Sequence, residues 1–231
     1  MSTVEITGLS KRYRRTHALR GVDLRCETGR VVGILGENGS GKSTLFRILA
    51  GITRPTAGDV LIDGMPVGAE TRRVTAYVPE IDAFYDWMLV DEQLDFLASF
   101  YGRWDHAKAR ELTQFMGLDG QAQIGEMSKG QRARLKFVAA FAWPSDLVLL
   151  DEPLGGIDPP SRTRILKAMV QEFRDKEQTI LISTHLVAEI EEVVDEVVFF
   201  HDGEIALQGN ADTLRTDRGG SLSQMFEEVL S

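Results

Sequence analysis

The 231-residue chain has one cysteine, Cys26, so no internal disulfide can form and there is no framework for a zinc site. That usage suits a reducing compartment such as the cytosol. No run approaches the ~20 apolar residues needed to cross a bilayer. The start, Met1-Ser2-Thr3-Val4-Glu5-Ile6, lacks the basic flank and apolar core of a signal peptide. Work at a membrane would therefore need another chain. Basic residues are in the minority: Lys and Arg number 26 against 35 Asp and Glu, giving a net charge of −9. That balance argues against nucleic acid as a partner, because an extended phosphate-binding surface needs clustered cations. The one basic cluster, Lys11-Arg12-Tyr13-Arg14-Arg15, is short. Internal repeats and low-complexity segments are absent. What remains is the 43% hydrophobic, 26% charged make-up of an ordinary globular protein, long enough for one large domain or a domain carrying a subdomain.

The most informative stretch is Gly36-Glu37-Asn38-Gly39-Ser40-Gly41-Lys42-Ser43-Thr44. It satisfies the phosphate-cradling pattern G-x-x-x-x-G-K-[ST]. It also sits between an apolar run, Val31–Leu35, and the helix-like Leu45–Ala50, which is where that pattern is credible. Glycines let successive backbone N–H groups turn toward one anion. The helix that follows adds its free N–H groups and the positive end of its dipole. Lys42 is placed to reach the β- and γ-phosphates, and the Ser43 hydroxyl to touch Mg2+. The expectation is a nucleoside triphosphate site.

Elsewhere the pattern alternates strands and helices. Val4–Ile6 and Ala18–Arg25 read as short strands, with Glu27–Arg30 turning into the strand before the phosphate loop. Tyr13 is an aromatic among charges, either a solvated turn residue or a ring that stacks on a purine. Asp63-Gly64 and Asp202-Gly203 mark hairpins. Val74–Val78 is a strand ending at Pro79-Glu80. Asp91–Tyr101 and Ala107–Met116 have helical spacing. Ser128 and Gln131 form a capping-box pair at the start of a helix running to Trp143. That helix start is either simply a cap or a second display of free N–H groups. Leu147–Leu150 reads as a strand buried on both faces and ends in Asp151-Glu152. Ligands sit at such strand ends. Asp151 is placed to hold the Mg2+ that Ser43 touches, leaving Glu152 to orient or deprotonate water. Arg164–Phe173 is amphipathic, with Ile165, Met169 and Phe173 on one face. Thr179–Ser183 is another buried strand, delivering Thr184-His185. Leu222, Met225, Phe226, Val229 and Leu230 form a helical core stripe. The fold class expected is α/β with a mainly parallel sheet, antiparallel strands and a helical insertion.

Taken together, these stretches resemble the ATP-binding subunits of ABC transporters, in the family's order over essentially the whole chain. Gly36–Thr44 stands at Walker A and Tyr77-Val78-Pro79-Glu80 at the Q-loop. Met127-Ser128-Lys129-Gly130-Gln131 stands at the signature motif and Leu147–Glu152 at Walker B. Gly155–Asp158 matches the D-loop, and His185 the switch histidine. The resemblance implies one P-loop ATPase domain over 1–231. Its catalytic core and antiparallel β subdomain take 1–83 and 144–231, and its helical subdomain takes 84–143. It further implies that Tyr13 stacks the adenine and that two subunits, identical or not, pair head-to-tail. Each ATP then lies between one phosphate loop and the other chain's Ser128, Lys129, Gly130 and Gln131. Glu152 and His185 serve hydrolysis, and Asp158 belongs to the D-loop. A separate transmembrane permease would hold the chain on the cytoplasmic face.

Three residues depart from the family pattern. Glu80 replaces the usual glutamine and still offers an oxygen to Mg2+, and Met127 and Lys129 replace leucine and glycine. These variants resemble the ABC-2-type exporter group. The aromatic stretch Phe84-Tyr85-Asp86-Trp87-Met88 either lines a groove for a helix of the membrane subunit or packs within its own subdomain. The competing function is a soluble, non-transport ABC ATPase acting on a macromolecule. Such proteins usually join two of these domains in one chain or carry long coiled-coil insertions, and neither is present.

Overall fold

The computed structural model describes residues 2–81, 83–174 and 177–230, with the side chains at 2, 172, 173 and 230 outside it. The chain opens with a ribbon of two antiparallel strands, β1 (Ser2–Tyr13) and β2 (Thr16–Glu27). Both are longer than the sequence pattern predicts. Register shifts between Ile6 and Leu9 and again between Leu9 and Lys11 break the period-2 alternation that would have announced their full length. Next come β3 (Val31–Gly36) and α1 (Lys42–Leu49). β4 (Ala57–Ile62) and β5 (Met65–Pro66) then make the hairpin expected at Asp63-Gly64, whose φ values of 49° and 74° suit a type I′ turn. A short α2 (Ala69–Arg72) leads to β6 (Thr75–Val78).

The span 84–143 holds α3 (Val90–Ala98), α4 (His106–Phe115) and α5 (Lys129–Phe141), with a 3-10 turn at Ile124–Glu126. Asp105 caps α4 by accepting from the amides of Ala107 and Lys108, both at 2.9 Å. β7 (Leu147–Asp151) follows, then α6 (Pro159–Ala168), which widens into a π-helical turn at Met169–Phe173. α6 starts earlier than the periodicity suggests because Asp158 caps it and Pro159 takes the first helical position. Ile165 and Met169 are buried as expected, whereas the Phe173 side chain lies outside the described residues, as does that of Leu230. The chain finishes with β8 (Thr179–Thr184), α7 (Val187–Ile190), β9 (Glu196–His201), β10 (Glu204–Asn210), α8 (Ala211–Arg218) and α9 (Leu222–Leu230).

The strands form two sheets. One is antiparallel, in the order β2-β1-β4-β5; the other runs β10-β9-β3-β8-β7-β6, parallel except for the β9–β10 edge pair. The apolar runs of β3, β7 and β8 feed two cores at once. Leu147, Leu149 and Leu181 face the cluster shared with α1 and the antiparallel sheet. Val148, Leu150, Ile180 and Ile182 face the cluster shared with α5, α6 and α9. Each such side chain contributes about 1.5–3 kcal/mol by leaving water, which fixes the sheet between its two layers. The fold is therefore the expected α/β arrangement of parallel sheet, antiparallel sheet and helices. Its parallel strands bring Gly36, Thr184 and Asp151 out along one edge, with Leu35 opposite Thr184 and Asp151 opposite Ser183.

Asp195 pins the other end of the central strand. Its Oδ2 accepts from Val31 N at 2.8 Å, its own N donates to Val31 O, and its carbonyl accepts from Ala211 N and Asn210 Nδ2. Replacing Asp195 with Ala leaves the Val31 N–H without its acceptor and should lower the urea-measured unfolding free energy by about 1–3 kcal/mol. An unchanged midpoint would show that β3 is held in place without it.

Candidate active site

The phosphate loop is built for an anion. Gly41, at φ 112°, lets the chain turn into α1 with its backbone against Ala18 O, where a Cβ would sit only 2.5 Å away. No side chain caps α1, so the first-turn amides of the helix keep their donors for a ligand. Lys42 is 5% exposed, and its Nζ donates to Gly36 O at 2.6 Å and Glu37 O at 3.0 Å. Ser40 Oγ is buried without a hydrogen-bond partner and lies close against Gly36, where a Cβ would meet it at 2.5 Å.

Two acids leave β7 in different directions. Asp151 is fully buried: its Oδ1 accepts from Ser43 Oγ at 3.0 Å and Ser183 Oγ at 2.6 Å, and its Oδ2 from Tyr77 OH at 3.3 Å. Burial, and next the Asp151 charge, push the Tyr77 phenol up to about 12, so it remains a donor. Glu152 takes φ 45°, a sparsely populated conformation for a residue with a Cβ, stabilised as its amide donates to Ser183 O and Oγ. This turn swings the carboxylate to the opposite side, where Oε1 lies 3.4 Å from Lys42 Nζ and Oε2 lies 3.1 Å from His185 Nδ1. Oε1 is buried with no aligned hydrogen-bond donor. The oxygens of Ser43 and Asp151 suit a hard divalent cation that takes one or two protein ligands and completes its shell with phosphate and water. Among the described residues no cluster of three or more His, Cys, Asp or Glu would hold a metal alone.

Of the residues picked out in the sequence, Asn38, Glu80, Lys129, Glu152 and His185 line one cleft of about 630 Å³. Glu80 is on its wall and is not bonded to Ser43 or Asp151. Tyr13 lies at the tip of the β1–β2 ribbon, 41% exposed, with the Lys11 ammonium 4.8 Å from its ring centroid. Its partner across the turn, Thr16, begins the strand that abuts the phosphate loop at Ala18. Ser128 is the N-cap of α5 in a capping box: its Oγ accepts from Gln131 N at 3.2 Å while Gln131 Oε1 accepts from Ser128 N at 2.8 Å. The cap uses the Gln131 amide and leaves those of Lys129 and Gly130 at the exposed helix start. Gly130 packs directly on the backbone of Gly156, whose carbonyl a Cβ would meet at 2.8 Å. The signature and D-loop stretches of one chain thus touch each other. Asp158 accepts from Ser161 N at 3.1 Å, and bonds from Ser161 hold its carboxyl below the ordinary Asp range.

Sequence reasoning missed Ser183 and Tyr77, both bonded to Asp151. A serine closing an otherwise apolar strand was a signal for the first, but its meaning needs the β7–β8 register. It also missed Arg162, whose Nε donates to Ile157 O at 2.7 Å and whose Nη1 pairs with Glu189 at 2.5 Å. That pair ties the D-loop stretch to the helix following His185.

Comparison with known proteins agrees with this geometry. The ABC transporter family model matches residues 19–155. The ABC transporter ATP-binding protein NatA of Bacillus subtilis is 30% identical, over 98% of both chains. The aliphatic sulfonates import ATP-binding protein SsuB of Escherichia coli K12 is 34% identical, over 97% of this chain and 88% of its own. A solved structure described as the ATP binding subunit of an ABC transporter superposes with a TM-score of 0.88 at 31% identity, covering 99% of this chain and 100% of its own. A dimeric ATP-binding cassette in a post-hydrolysis state with ADP and Pi shares the fold, at TM-score 0.79 and 23% identity over 90% of this chain and 98% of its own. With family model, relatives and fold in agreement, the chain belongs to the ABC transporter family as an ATP-binding, ATP-hydrolysing subunit.

Proposed function

We propose that two such subunits close head-to-tail on ATP, hydrolyse it, and so drive a separate transmembrane permease from the cytoplasmic face. One observation carries the hydrolytic part: the Glu152 carboxylate stands between Lys42 and His185, with Oε1 buried against the lysine and Oε2 bonded to the histidine. When a triphosphate enters, Lys42 exchanges loop carbonyls and Glu152 for phosphate oxygens. Glu152 is then free to take a proton from the attacking water. His185 donates toward the γ-phosphate as charge develops there. Ser43, Asp151 and Glu80 would hold Mg2+, which when bound neutralises charge on the phosphates. Tyr13 stacks on the purine once Lys11 moves aside. The amides of Lys129 and Gly130, with the Lys129 cation, close over the γ-phosphate from the opposite subunit, and Asp158 lines that interface.

The permease is read from the surface of the helical region. Tyr85 and Trp87 are 45% and 67% exposed, and their rings continue through Phe96 to Phe100 at centroid spacings of 5.7, 5.6 and 5.0 Å. Of these, Tyr85 and Phe96 line a cavity of about 220 Å³ together with Phe84, Tyr101 and Trp143. Exposed aromatics around a pocket mark protein interfaces, and among the described residues no helix is long and apolar enough to cross a membrane. Glu80, Met127 and Lys129 support an export-type partner; the relatedness to SsuB, whose name specifies import, supports the opposite direction. Transport assays in vesicles of known orientation decide between them.

Glu152→Gln should retain ATP binding, hydrolyse at least ~10²-fold more slowly, as loss of a general base does, and accumulate as an ATP-bound dimer in size-exclusion chromatography. Wild-type turnover in that variant would assign the base elsewhere. Trp87→Ala should weaken co-purification with the membrane subunit by about tenfold or more, the effect of truncating an aromatic hot spot, while basal ATPase activity stays intact. Undiminished assembly would assign Trp87 to packing alone.

A further inference from the structure

Lys136 is a buried cation. It sits in α5 beside the buried Leu135, Phe137 and Val138 and is itself only 7% exposed. Burying an ammonium costs several kcal/mol even when it is paired, and a methionine of similar reach would fill the space without that cost. The task of the ammonium is therefore read from the groups it holds. Its Nζ donates to the carbonyls of Pro79 at 3.0 Å and Glu80 at 2.8 Å, on the segment leaving β6. Lys136 also borders two cavities: the aromatic one with Tyr85, Phe96 and Trp143, and the catalytic cleft with Glu80, Glu152 and His185. It forms part of the wall between them.

We propose that Lys136 is a positioning residue that fastens the Pro79-Glu80 main chain to the helix capped by Ser128, so that the aromatic groove and the nucleotide cleft share one rigid segment. A carbonyl pair held from a single ammonium fixes both the position and the rotation of that segment. The Glu80 side chain then enters the cleft from a set direction. When α5 shifts, the segment shifts with it. For one of its two measurements this inference rests on Glu80 ligating Mg2+, as proposed above.

Lys136→Met keeps the apolar stem and removes the donors; Lys136→Arg keeps donors. The first measurement is amide hydrogen exchange at Glu80 and Ile81 in the nucleotide-free protein. The second is the gain in ATP affinity that Mg2+ gives over EDTA, measured by equilibrium binding. In Lys136→Met, exchange at those amides should speed up by at least ~10-fold, as expected when a local restraint is lost. The Mg2+ gain should fall by about fivefold or more, the size of a lost coupling interaction, with affinity in EDTA unchanged. Lys136→Arg should recover both. Unchanged exchange in Lys136→Met, or equal losses in Met and Arg variants, overturns the proposal. If the Met variant does not fold, Lys136→Gln, whose shorter amide cannot reach both carbonyls, provides the same comparison. Glu80→Ala separates the two ideas: an unaltered Mg2+ gain there removes Glu80 from the metal, while the exchange measurement still judges the clamp.

Discussion

Positive charge gathered at the end of β3 governs the site. The uncapped start of α1 and the buried Lys42 ammonium meet there, and the ammonium is balanced by loop carbonyls and by Glu152. Removing one member of a buried pair costs about 3–5 kcal/mol, because the remaining charge is left uncompensated. The lysine is therefore never idle: it holds either Glu152 or something more negative. A triphosphate is a better partner than one carboxylate, so nucleotide entry and release of Glu152 become a single event. In the proposed mechanism, binding thereby prepares Glu152 to act on water.

The fold puts every participant within reach of that charge. Because β3, β8 and β7 are adjacent and parallel, the phosphate loop, Ser183 to His185 and Asp151-Glu152 emerge along one edge. The strained backbone at Glu152 separates two adjacent acids, leaving Asp151 locked by Ser43, Ser183 and Tyr77 and Glu152 facing the cleft. The helical region meets the same cleft through Lys129 and Lys136, and its signature end rests on Gly156. A displacement of α5 therefore reaches the D-loop stretch by direct backbone contact.

Much of this was legible in the sequence wherever chemistry is local. The phosphate loop, the Ser128–Gln131 capping box, the Asp63-Gly64 turn and the doubly buried run of β7 each depend on residues close in the chain, and the structure has each feature in its expected place. Features that depend on distant partners were not legible. The bulged register of β1 and β2 hid their length. The bonds from Ser183 and Tyr77 to Asp151 exist only once β6, β7 and β8 lie in order. Lys136 drew no attention in the sequence, because its acceptors are more than fifty positions away. The aromatic stretch 84–88 divides: Phe84 and Met88 pack against the core, whereas Tyr85 and Trp87 face outward.

Whether the helix starts at Lys42 and Ser128 grip one triphosphate from opposite subunits is open to direct measurement. The native Cys26 does not interfere, since it is buried and its thiol is pushed up to about 12, chiefly by that burial. Cysteines placed at Asn38 and Ser128 in the Glu152→Gln background should be joined between chains by a short bifunctional thiol reagent when ATP saturates the protein, and not without nucleotide. Absence of that inter-chain product at saturating ATP would contradict the shared site.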